Sequence, residues 1–394
     1  MALPIFAPMK PTIPTIGILG GGQLARMTAY AAFQLGLRVH IMERFAGSPA
    51  GQIAHREVIG DPSDHELLLQ FASECTAVTL ESEFINEEHL VQIERAGYPL
   101  FPTAASVAKI QDKLVQKRTL REAGVPSALF AGVADHDEAR RFGDQHGYPF
   151  VLKSRRNGYD GYGNATIRSA DEIAAGWEKI TRGDAGAELY CEAFVNFTTE
   201  LAVMVTRGRD GETAIYPLAE TVQHNHICHY VTLPAQVDAA AAATAIDYAR
   251  RGVEAIGGVG IFGVELFLTG DGEVLLNEIA PRPHNSGHYS IEGAVTSQFE
   301  NHLRAVMGWP LGSTNLRAPG VAMANILGRG DGAGAVASYP AVLSSEDAHL
   351  HIYGKLESRK GRKMGHVTAL AATPEEALAI AARVESAVDF SPAG

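Results

Sequence analysis

The chain has 394 residues, of which 46% are hydrophobic and 20% charged, which is typical of a globular protein large enough for two or three domains. Its formal net charge of −12 argues against a nucleic acid or an anionic membrane surface as its partner. The 3 cysteines lack metal-ligand spacing, and no apolar run is long enough to cross a membrane, so we expect a reduced, cytoplasmic protein.

The N-terminal part of the chain alternates strand-like and helix-like segments. Short apolar runs predict buried strands, and runs with apolar residues at helical spacing predict helices. The predicted order is a strand at 15–19, a helix at 23–35, a strand at 38–42, a helix at 65–72 and a strand at 77–81. This alternation is typical of a parallel sheet with helices on its faces, which is an α/β domain.

The segments that follow are mixed. A helix is predicted over 104–123, because Gly124 and Pro126 follow it as a stop signal. Strand-like runs lie at 149–153, 189–195, 200–207 and 214–220, and an Ala-rich helix lies at 235–256. These segments suggest antiparallel sheets backed by helices, an α+β arrangement, with a lid domain that begins near Val125 and short strands after Ala318.

A glycine-rich turn connects the first predicted strand to the first predicted helix. Gly20, Gly21 and Gly22 form this turn, and Glu43 ends the next predicted strand about twenty residues later. The pattern suits a dinucleotide, a mononucleotide or a phosphate at the N-terminus of the helix. It also suits a tight turn that binds no ligand, so an NAD-dependent oxidoreductase stays open at this point.

Two apolar runs, 261–268 and 273–279, are joined by a Gly-containing turn and predict a β-hairpin. In the simplest register Glu265 lies opposite Leu276 and diagonal to Glu278, so both carboxylates share one face of the sheet. Such a pair can bind a hard divalent cation together with substrate phosphates. A pair of solvated charges is the alternative, but the strongly apolar flanking residues favour a metal site.

A second glycine-rich segment follows the predicted strand that ends at Lys153. It contains Gly158, Gly161 and Gly163. Backbone N–H groups of such a loop can surround phosphate oxygens while the lysine ammonium offsets their charge. The segment therefore predicts a polyphosphate site, and a surface loop without a ligand is the alternative.

The run from Glu192 to Val195, with Glu200 a few residues later, suits an extended backbone that binds an adenine edge. The Glu200 carboxylate could then accept hydrogen bonds from ribose hydroxyls. The same residues are also ordinary for an edge strand, so this segment alone carries no assignment.

The chain has one dense basic cluster near its C-terminal end, which contains Lys355, Arg359 and Arg362. Because the protein is acidic overall, this cluster requires a counter-charge, and the phosphate of a small substrate would supply one. A solvated turn is the alternative interpretation.

Taken together, the motifs at 17–27, 153–163, 265, 277–278 and 353–366 resemble those of ATP-grasp ligases, and more narrowly the 5-(carboxyamino)imidazole ribonucleotide synthetase family of purine biosynthesis. The resemblance covers about Thr15 to Val384. It implies an ATP-grasp fold of mixed α/β and α+β class with three domains. These are an N-terminal Rossmann-like domain (1–108), a linker helix with a central lid domain (109–189), and a C-terminal domain with a small β subdomain (190–394).

The resemblance also implies the ligands and the residues that bind them. The implied ATP-binding residues are Lys109, Lys153, Gly158, Tyr159, Asp160, Gly161, Tyr162, Gly163, Asn164, Glu192, Ala193, Phe194, Val195, Glu200, Gln223, Asn277 and Glu278. Mg²⁺, or Mn²⁺, would be bound by Glu265 and Glu278. The implied catalytic residues are Tyr159, Asp160, Arg282, His284 and Asn285. The implied substrate-binding residues are Gln23, Glu81, Glu83, Lys355, Arg359 and Arg362.

Some of these positions depart from the family pattern. Lys109 stands where Arg is usual, Asn157 where Gly is usual, Tyr162 where Lys or Arg is usual, and Gln223 where His is usual. Strand parity also points the side chain of Asn277 away from the carboxylate pair.

The implied reaction joins bicarbonate to aminoimidazole ribonucleotide at the expense of ATP, through carboxyphosphate, in a cytoplasmic homodimer. Asp160 would orient or deprotonate the amine of the substrate. The alternatives are another ATP-grasp ligase, such as a formate-dependent glycinamide ribonucleotide transformylase or a biotin carboxylase, an NAD-dependent oxidoreductase, or a nucleotide-binding protein without turnover.

Overall fold

The computed structural model describes residues 13–156, 158, 163–182, 186–225 and 227–392. The N-terminal domain is a parallel four-stranded sheet of order β3-β2-β1-β4. Its strands are β1 (Thr15–Leu19), β2 (Arg38–Glu43), β3 (Arg56–Ile59) and β4 (Ala77–Leu80). Its helices are α1 (Gln23–Gln34), α2 (His65–Ser73), α3 (Glu87–Arg95) and α4 (Ala104–Gln111). The predicted strands and helices of this domain are confirmed, and the short edge strand β3 was not predicted.

The sheet of the N-terminal domain is covered on both faces. Ile16 and Ile18 of β1 pack with the apolar residues of α1, whereas Leu19 and Leu80 pack with α2 and α3. Strands buried on both faces show continuous apolar runs rather than alternation, which is why their positions could be predicted from the sequence.

The segment that we predicted as one helix over 104–123 is two helices. Helix α4 ends at Gln111, and α5 (Lys113–Glu122) begins one residue after Asp112. The Asp112 carboxylate accepts hydrogen bonds from the backbone N–H of Leu114 and Val115, so it is the N-cap of α5. The break turns α5 away from the N-terminal domain and places it against the other two domains.

The central domain is an antiparallel four-stranded sheet of order β5-β8-β6-β7. Its elements are β5 (Phe130–Val133), α6 (His136–His146), β6 (Phe150–Ser154), β7 (Asn164–Ile167), α7 (Ile173–Thr181) and β8 (Leu189–Ala193). Because β8 belongs to this sheet, the central domain extends through Ala193, and not only to residue 189 as we predicted.

The C-terminal domain is built on a nine-stranded sheet, with a small three-stranded sheet beside it. Its strands are β9 (Phe197–Arg207), β10 (Thr213–Ile215), β11 (Ala219–His224), β12 (Ile227–Leu233), β13 (Gly260–Thr269), β14 (Val274–Ala280), β15 (Gly320–Leu327), β16 (Gly332–Val336), β17 (Ala348–Ile352), β18 (Glu357–Ser358), β19 (Lys363–Ala371) and β20 (Phe390–Pro392). Its helices are α8 (Ala239–Ile256), α9 (Ser290–Gly293), α10 (Gln298–Met307), α11 (Tyr339–Val342) and α12 (Pro374–Ala387).

The main sheet has the order β14-β13-β9-β11-β12-β15-β19-β17, with β10 paired to β9. The predicted strand at 214–220 is wrong as one element, because the chain leaves the sheet at the buried Tyr216 and re-enters it as β11. Among the described residues, no helix is long and apolar enough to span a membrane. Strands β13 and β14 form one edge of the main sheet, next to α5 and α8.

Candidate active site

The predicted hairpin exists, but its register differs from the prediction. Glu265 of β13 pairs directly with Glu278 of β14, whereas Leu266 pairs with Leu276. Asn277 is therefore the extra residue of a β-bulge. The bulge also corrects the prediction from strand parity, because Nδ2 of Asn277 lies 3.5 Å from Oε2 of Glu265 and thus points toward the carboxylate pair.

The paired carboxylates are electrostatically strained when no cation is bound. Glu265 lies opposite Ala202 of β9. Glu200 is two residues before Ala202 in the same strand, so its side chain lies on the same face of the sheet as that of Glu265. Burial, and then the charges of Glu278 and Glu200, raise the pKa of Glu265 to about 7. The Lys113 ammonium forms an ion pair with Glu278. A divalent cation between Glu265 and Glu278 would relieve this repulsion.

The residues present fit Mg²⁺ better than Zn²⁺. Within the described part of the chain, no group of three or more His, Cys, Asp or Glu side chains could hold a metal ion. Mg²⁺ commonly uses one or two carboxylates and takes its other oxygen ligands from phosphates and water. Glu265 and Glu278 supply such a pair.

Helix α5 contributes three cleft residues that the sequence analysis missed. Lys113 contacts Glu278, and Lys117, one turn later, forms an ion pair with Glu192 of β8. Between them, Gln116 donates to the carbonyl of Ile279 and accepts from its N–H, at 2.9 and 3.0 Å. The two lysines are four residues apart on one helix face, and this spacing was the only available signal.

The predicted Lys153 lies in the central sheet, where β6 pairs with β7 and β8. Its ammonium forms an ion pair with the largely buried Glu192, and its backbone is opposite Asn164. Gly163 adopts a φ of +80°, which favours glycine at this position. Gly158 lies close by, because a Cβ built on Gly163 would meet its Cα at 3.3 Å. The predicted residues Tyr159, Asp160, Gly161 and Tyr162 lie outside the described residues.

Lys109, for which a phosphate contact was predicted, binds backbone carbonyls in the structure. Its Nζ donates to the carbonyls of Ala255 and Ile256, at 3.3 and 3.2 Å, at the C-terminal end of α8. A lysine in this position binds the unpaired carbonyls of a helix end and complements its dipole. Lys113, four residues further on, is the lysine of this region that reaches a carboxylate of the hairpin.

Arg282 joins the N-terminal domain to the segment after β14. Its Nε and Nη2 donate to the two carboxylate oxygens of Glu83, at 2.6 and 3.2 Å. Burial alone would raise the pKa of Glu83, but the charge and hydrogen bonds of Arg282, together with the Lys113 charge, outweigh it and lower the pKa to about 2. Two of the predicted residues therefore bind each other, and the remaining guanidinium hydrogens are the ones left for a ligand.

His284 and Asn285 follow Arg282, and hydrogen bonds to other residues orient both side chains. Burial, and then the Arg282 charge, lower the pKa of His284 to about 3, so this imidazole is neutral at pH 7. Its Nδ1 accepts from the N–H of Ser286 at 3.4 Å, which assigns the proton to Nε2, 3.5 Å from Oε1 of Glu265. The amide of Asn285 exchanges hydrogen bonds with Asn325, at 2.7 and 2.8 Å.

The glycine-rich turn before α1 is filled by the protein's own carboxylates. Oε2 of Glu81 accepts from the N–H of Gly22 at 2.6 Å, and Oε1 accepts from that of Leu24 at 3.2 Å. Glu43 accepts from the N–H of Gly21 at 2.8 Å. The predicted substrate contact of Glu81 therefore competes with its role as a helix cap. A dinucleotide pyrophosphate would have to displace these carboxylates.

The predicted basic cluster divides into exposed and half-buried residues. Arg359 pairs with Glu357 at 2.7 Å, and both side chains are mostly exposed. Arg362 donates to the carbonyl of Glu357, and Lys355 donates to that of Lys363 at 2.6 Å. The charge of Lys363 acts on the pKa of both Glu265 and His284, so this lysine, which we did not single out, belongs to the site.

The other predicted residues lie at the ends of strands and helices of three domains. Gln23 is the first, half-buried residue of α1. Ala193 ends β8, and Phe194 and Val195 connect it to β9, with Phe194 half exposed. Gln223 lies in β11 at a register shift.

A cavity of about 260 Å³ lies where the N-terminal domain, the turn between α4 and α5, and the loop after β6 meet. It is lined by Glu83, Phe84, Asn86, Ile110, Gln111, Lys113, Arg156 and Gly158. Gly158, Lys113 and Glu83 thus line one space from different parts of the chain.

Three family models match the chain, namely a ribonucleotide synthetase preATP-grasp domain over 13–111, an ATP-grasp domain over 118–299, and a phosphoribosylaminoimidazole carboxylase C-terminal domain over 321–380. Fold and site together define an ATP-grasp enzyme, an ATP-dependent ligase. Among relatives, an N5-carboxyaminoimidazole ribonucleotide synthase of Synechococcus elongatus is 40% identical over 90% of this chain and 88% of its own length. The chain belongs to the N5-carboxyaminoimidazole ribonucleotide synthase family.

Two further relatives show how much of each chain the similarity covers. A phosphoribosylaminoimidazole carboxylase of Schizosaccharomyces pombe is 41% identical over 92% of this chain, and the chain spans 66% of the length of that relative. The crystal structure of an Aspergillus clavatus N5-carboxyaminoimidazole synthase, in complex with ADP and 5-aminoimidazole ribonucleotide, has a TM-score of 0.85 at 36% identity. That match covers 95% of this chain and 98% of the Aspergillus chain.

Proposed function

We propose that the chain carboxylates 5-aminoimidazole ribonucleotide with bicarbonate and ATP, giving N5-carboxyaminoimidazole ribonucleotide, ADP and phosphate. Membership of the family supports this reaction, and the Aspergillus relative binds ADP and the aminoimidazole nucleotide in a fold of the same shape. The observation that carries the proposal is the Glu265–Glu278 pair, which lies beside the largely buried Arg282 and the neutral His284.

The first half-reaction is phosphoryl transfer. An oxygen of bicarbonate attacks the γ-phosphorus of ATP, the bond to the bridging oxygen breaks, and ADP and carboxyphosphate result. Such transfers depend on positioning and on neutralising charge. Lys153 and Lys113 supply cations on two sides of the cleft, and Mg²⁺ on Glu265 and Glu278 would neutralise phosphate charge.

The second half-reaction is carbon transfer. The amine attacks the carbon, as carboxyphosphate or as carbon dioxide released from it. Phosphate leaves, and the amine loses a proton. We retain Asp160 as the base and Tyr159 beside it by resemblance alone. Since His284 is neutral with its proton on Nε2, it would donate a hydrogen bond to an anionic oxygen rather than act as a base.

Substrate binding follows from the remaining positions. Arg282 would bind bicarbonate with the hydrogens that Glu83 leaves free. The ribose phosphate would be bound by Lys355, Arg362 and Lys363. Arg359, whose side chain is mostly exposed, would contribute less to this binding. The extended backbone from Glu192 to Val195 would hold the adenine through its N–H and C=O groups, with the Glu200 carboxylate at the ribose.

Isotope transfer tests the proposed path. With ¹⁸O-labelled bicarbonate, MgATP and 5-aminoimidazole ribonucleotide, the released phosphate should carry ¹⁸O, because the oxygen that attacks ATP leaves with the phosphate. Unlabelled phosphate would contradict the carboxyphosphate route. Label transfer from bicarbonate that needs biotin in place of the imidazole nucleotide would assign the chain to another ATP-grasp reaction. So would label transfer from ¹⁸O-labelled formate in the presence of glycinamide ribonucleotide.

We also propose a cytoplasmic homodimer. The three cysteines are free thiols, which suits a reducing compartment. The dimer rests on family resemblance alone. Light scattering coupled to size-exclusion chromatography tests it, and a mass near the 42.0 kDa of one chain would refute it.

A further inference from the structure

One carboxylate in the cleft is bound by two lysines. Glu192 of β8 is 4% exposed. Its Oε1 lies 2.5 Å from Nζ of Lys117, and its Oε2 is paired with Nζ of Lys153. Lys117 comes from α5 and Lys153 from β6, so the three charged groups join the linker helix to the central sheet. Lys117 has no role in the function proposed above.

The two lysines differ in their access to the cleft. The Lys117 side chain is 3% exposed, whereas that of Lys153 is 20% exposed at the open side. An ammonium as buried as Lys117 needs a counter-charge, because desolvating an unpaired ion costs several kcal/mol. Burial already lowers the pKa of Lys117, and the Glu192 charge opposes this effect. Lys117 therefore stays paired with Glu192, and Lys153 is the lysine that can exchange Glu192 for a ligand.

The charges of the cluster leave one positive charge for a ligand. Burial alone would raise the pKa of Glu192, but the charges of Lys117 and Lys153 outweigh it and lower the pKa to about 2. Glu192 is therefore ionised at neutral pH, and two cations face one anion. If Lys117 were absent, Glu192 and Lys153 would form a neutral buried pair, and moving Lys153 to a phosphate would leave Glu192 unpaired.

We propose that Lys117 is a positioning residue, which neutralises Glu192 and so releases Lys153 to bind the phosphates of ATP. This inference rests on the proposed use of ATP at this cleft. Helix α5 is suited to the task because Gln116, the preceding residue, is fixed by two hydrogen bonds to the backbone of Ile279. Lys117 therefore holds its place while Lys153 changes partner.

A double-mutant cycle on ATP binding tests the inference. Lys117→Met keeps an unbranched side chain, shorter by one atom, and removes its charge. We expect it to weaken ATP binding, measured by titration calorimetry, at least about tenfold. Glu192→Gln needs no counter-cation and keeps the backbone N–H and C=O groups that would hold the adenine. The double variant Lys117→Met/Glu192→Gln should therefore bind ATP within about threefold of wild type. The control Arg141→Met removes an exposed cation of α6 and should leave ATP binding unchanged.

The direction of the double variant decides the outcome. A merely structural Lys117 predicts that the second substitution adds to the damage, so a double variant that binds ATP no better than Lys117→Met overturns the inference. If Lys117→Met does not fold, Glu192→Gln alone decides. We expect it to bind ATP at least as tightly as wild type, because Lys153 is already free, and weaker binding would overturn the inference.

The cycle also separates this inference from the proposed function. It is read on ATP binding in the absence of bicarbonate and acceptor. A wild-type protein that binds ATP but does not carboxylate the imidazole nucleotide would refute the proposed function and leave the cycle valid. A wild-type protein that binds no ATP would refute both.

Discussion

Replacement of Glu265 by glutamine should stabilise the protein in the absence of Mg²⁺, and only at high pH. Folding raises the pKa of Glu265 from its ordinary 4.5 to about 7. At a pH where this carboxyl is ionised in both the native and the unfolded state, the shift lowers the unfolding free energy by about 3 kcal/mol. Because 31% of the Glu265 side chain is still exposed, solvent screening reduces the expected gain to about 2 kcal/mol. The amide introduced by Glu265→Gln would keep a hydrogen-bond acceptor for Asn277 and lose the repulsion by Glu278.

The sign of the pH dependence follows from proton binding. Between about pH 4.5 and pH 7 the native state retains a proton that the unfolded chain has released, so wild-type stability falls as the pH rises through this window. The Glu265→Gln variant lacks this group and should not show that part of the fall. The two proteins should therefore have similar stability at pH 5 and differ most at pH 8.

Urea unfolding followed by circular dichroism, at pH 5 and at pH 8 with a chelator present, measures the difference in unfolding free energy. Adding Mg²⁺ with ATP at pH 8 should stabilise wild type more than Glu265→Gln, since only wild type has both carboxylate ligands. An equal difference between the two proteins at both pH values would refute the argument from Glu265. A variant less stable than wild type at pH 8 would refute it too.

Three other substitutions test the remaining parts of the site. Glu278→Gln should abolish Mg²⁺-dependent turnover while circular dichroism stays unchanged, and near-wild-type turnover would exclude the metal role. Arg282→Lys cannot keep both hydrogen bonds to Glu83, so the KM for bicarbonate should rise about tenfold or more while the Kd for ATP, measured by calorimetry, stays within about twofold. Equal losses would place Arg282 in nucleotide binding. Asp112→Ala removes the N-cap of α5 and the carboxylate that pairs with Arg155. It should lower the unfolding free energy, measured by urea unfolding, by at least about 2 kcal/mol. A loss below about 0.5 kcal/mol would contradict the capping role.

The strands of the N-terminal sheet and the existence of the hairpin could be predicted from the sequence. Apolar runs bounded by Gly and Asp are strong local signals, and both carboxylates of the hairpin do share one face of the sheet. At Glu265 the predicted register was wrong by two residues, since its partner is Glu278 and not Leu276. One of the two residues is the extra residue of the β-bulge at Asn277, and pairing of this kind depends on the whole sheet. The break between α4 and α5 had a local signal in Asp112, which we overlooked.

The residues that were missed are those whose partners lie far away in the sequence. Lys117 and Lys113 look like exposed helix lysines until β8 and β14 bring Glu192 and Glu278 against them. Lys109, whose phosphate contact is implied by the resemblance alone, likewise binds the end of a helix that begins more than a hundred residues later. Ion pairs between distant segments follow from tertiary structure, and neither periodicity nor spacing reports them.

The most direct test of the proposed function is phosphate release from MgATP in bicarbonate buffer, with 5-aminoimidazole ribonucleotide and glycinamide ribonucleotide added in separate reactions. We expect the imidazole nucleotide alone to stimulate release, with loss of the stimulation when bicarbonate is removed. Stimulation by glycinamide ribonucleotide in its place, or by neither nucleotide, would contradict carboxylation of 5-aminoimidazole ribonucleotide as the activity of this chain.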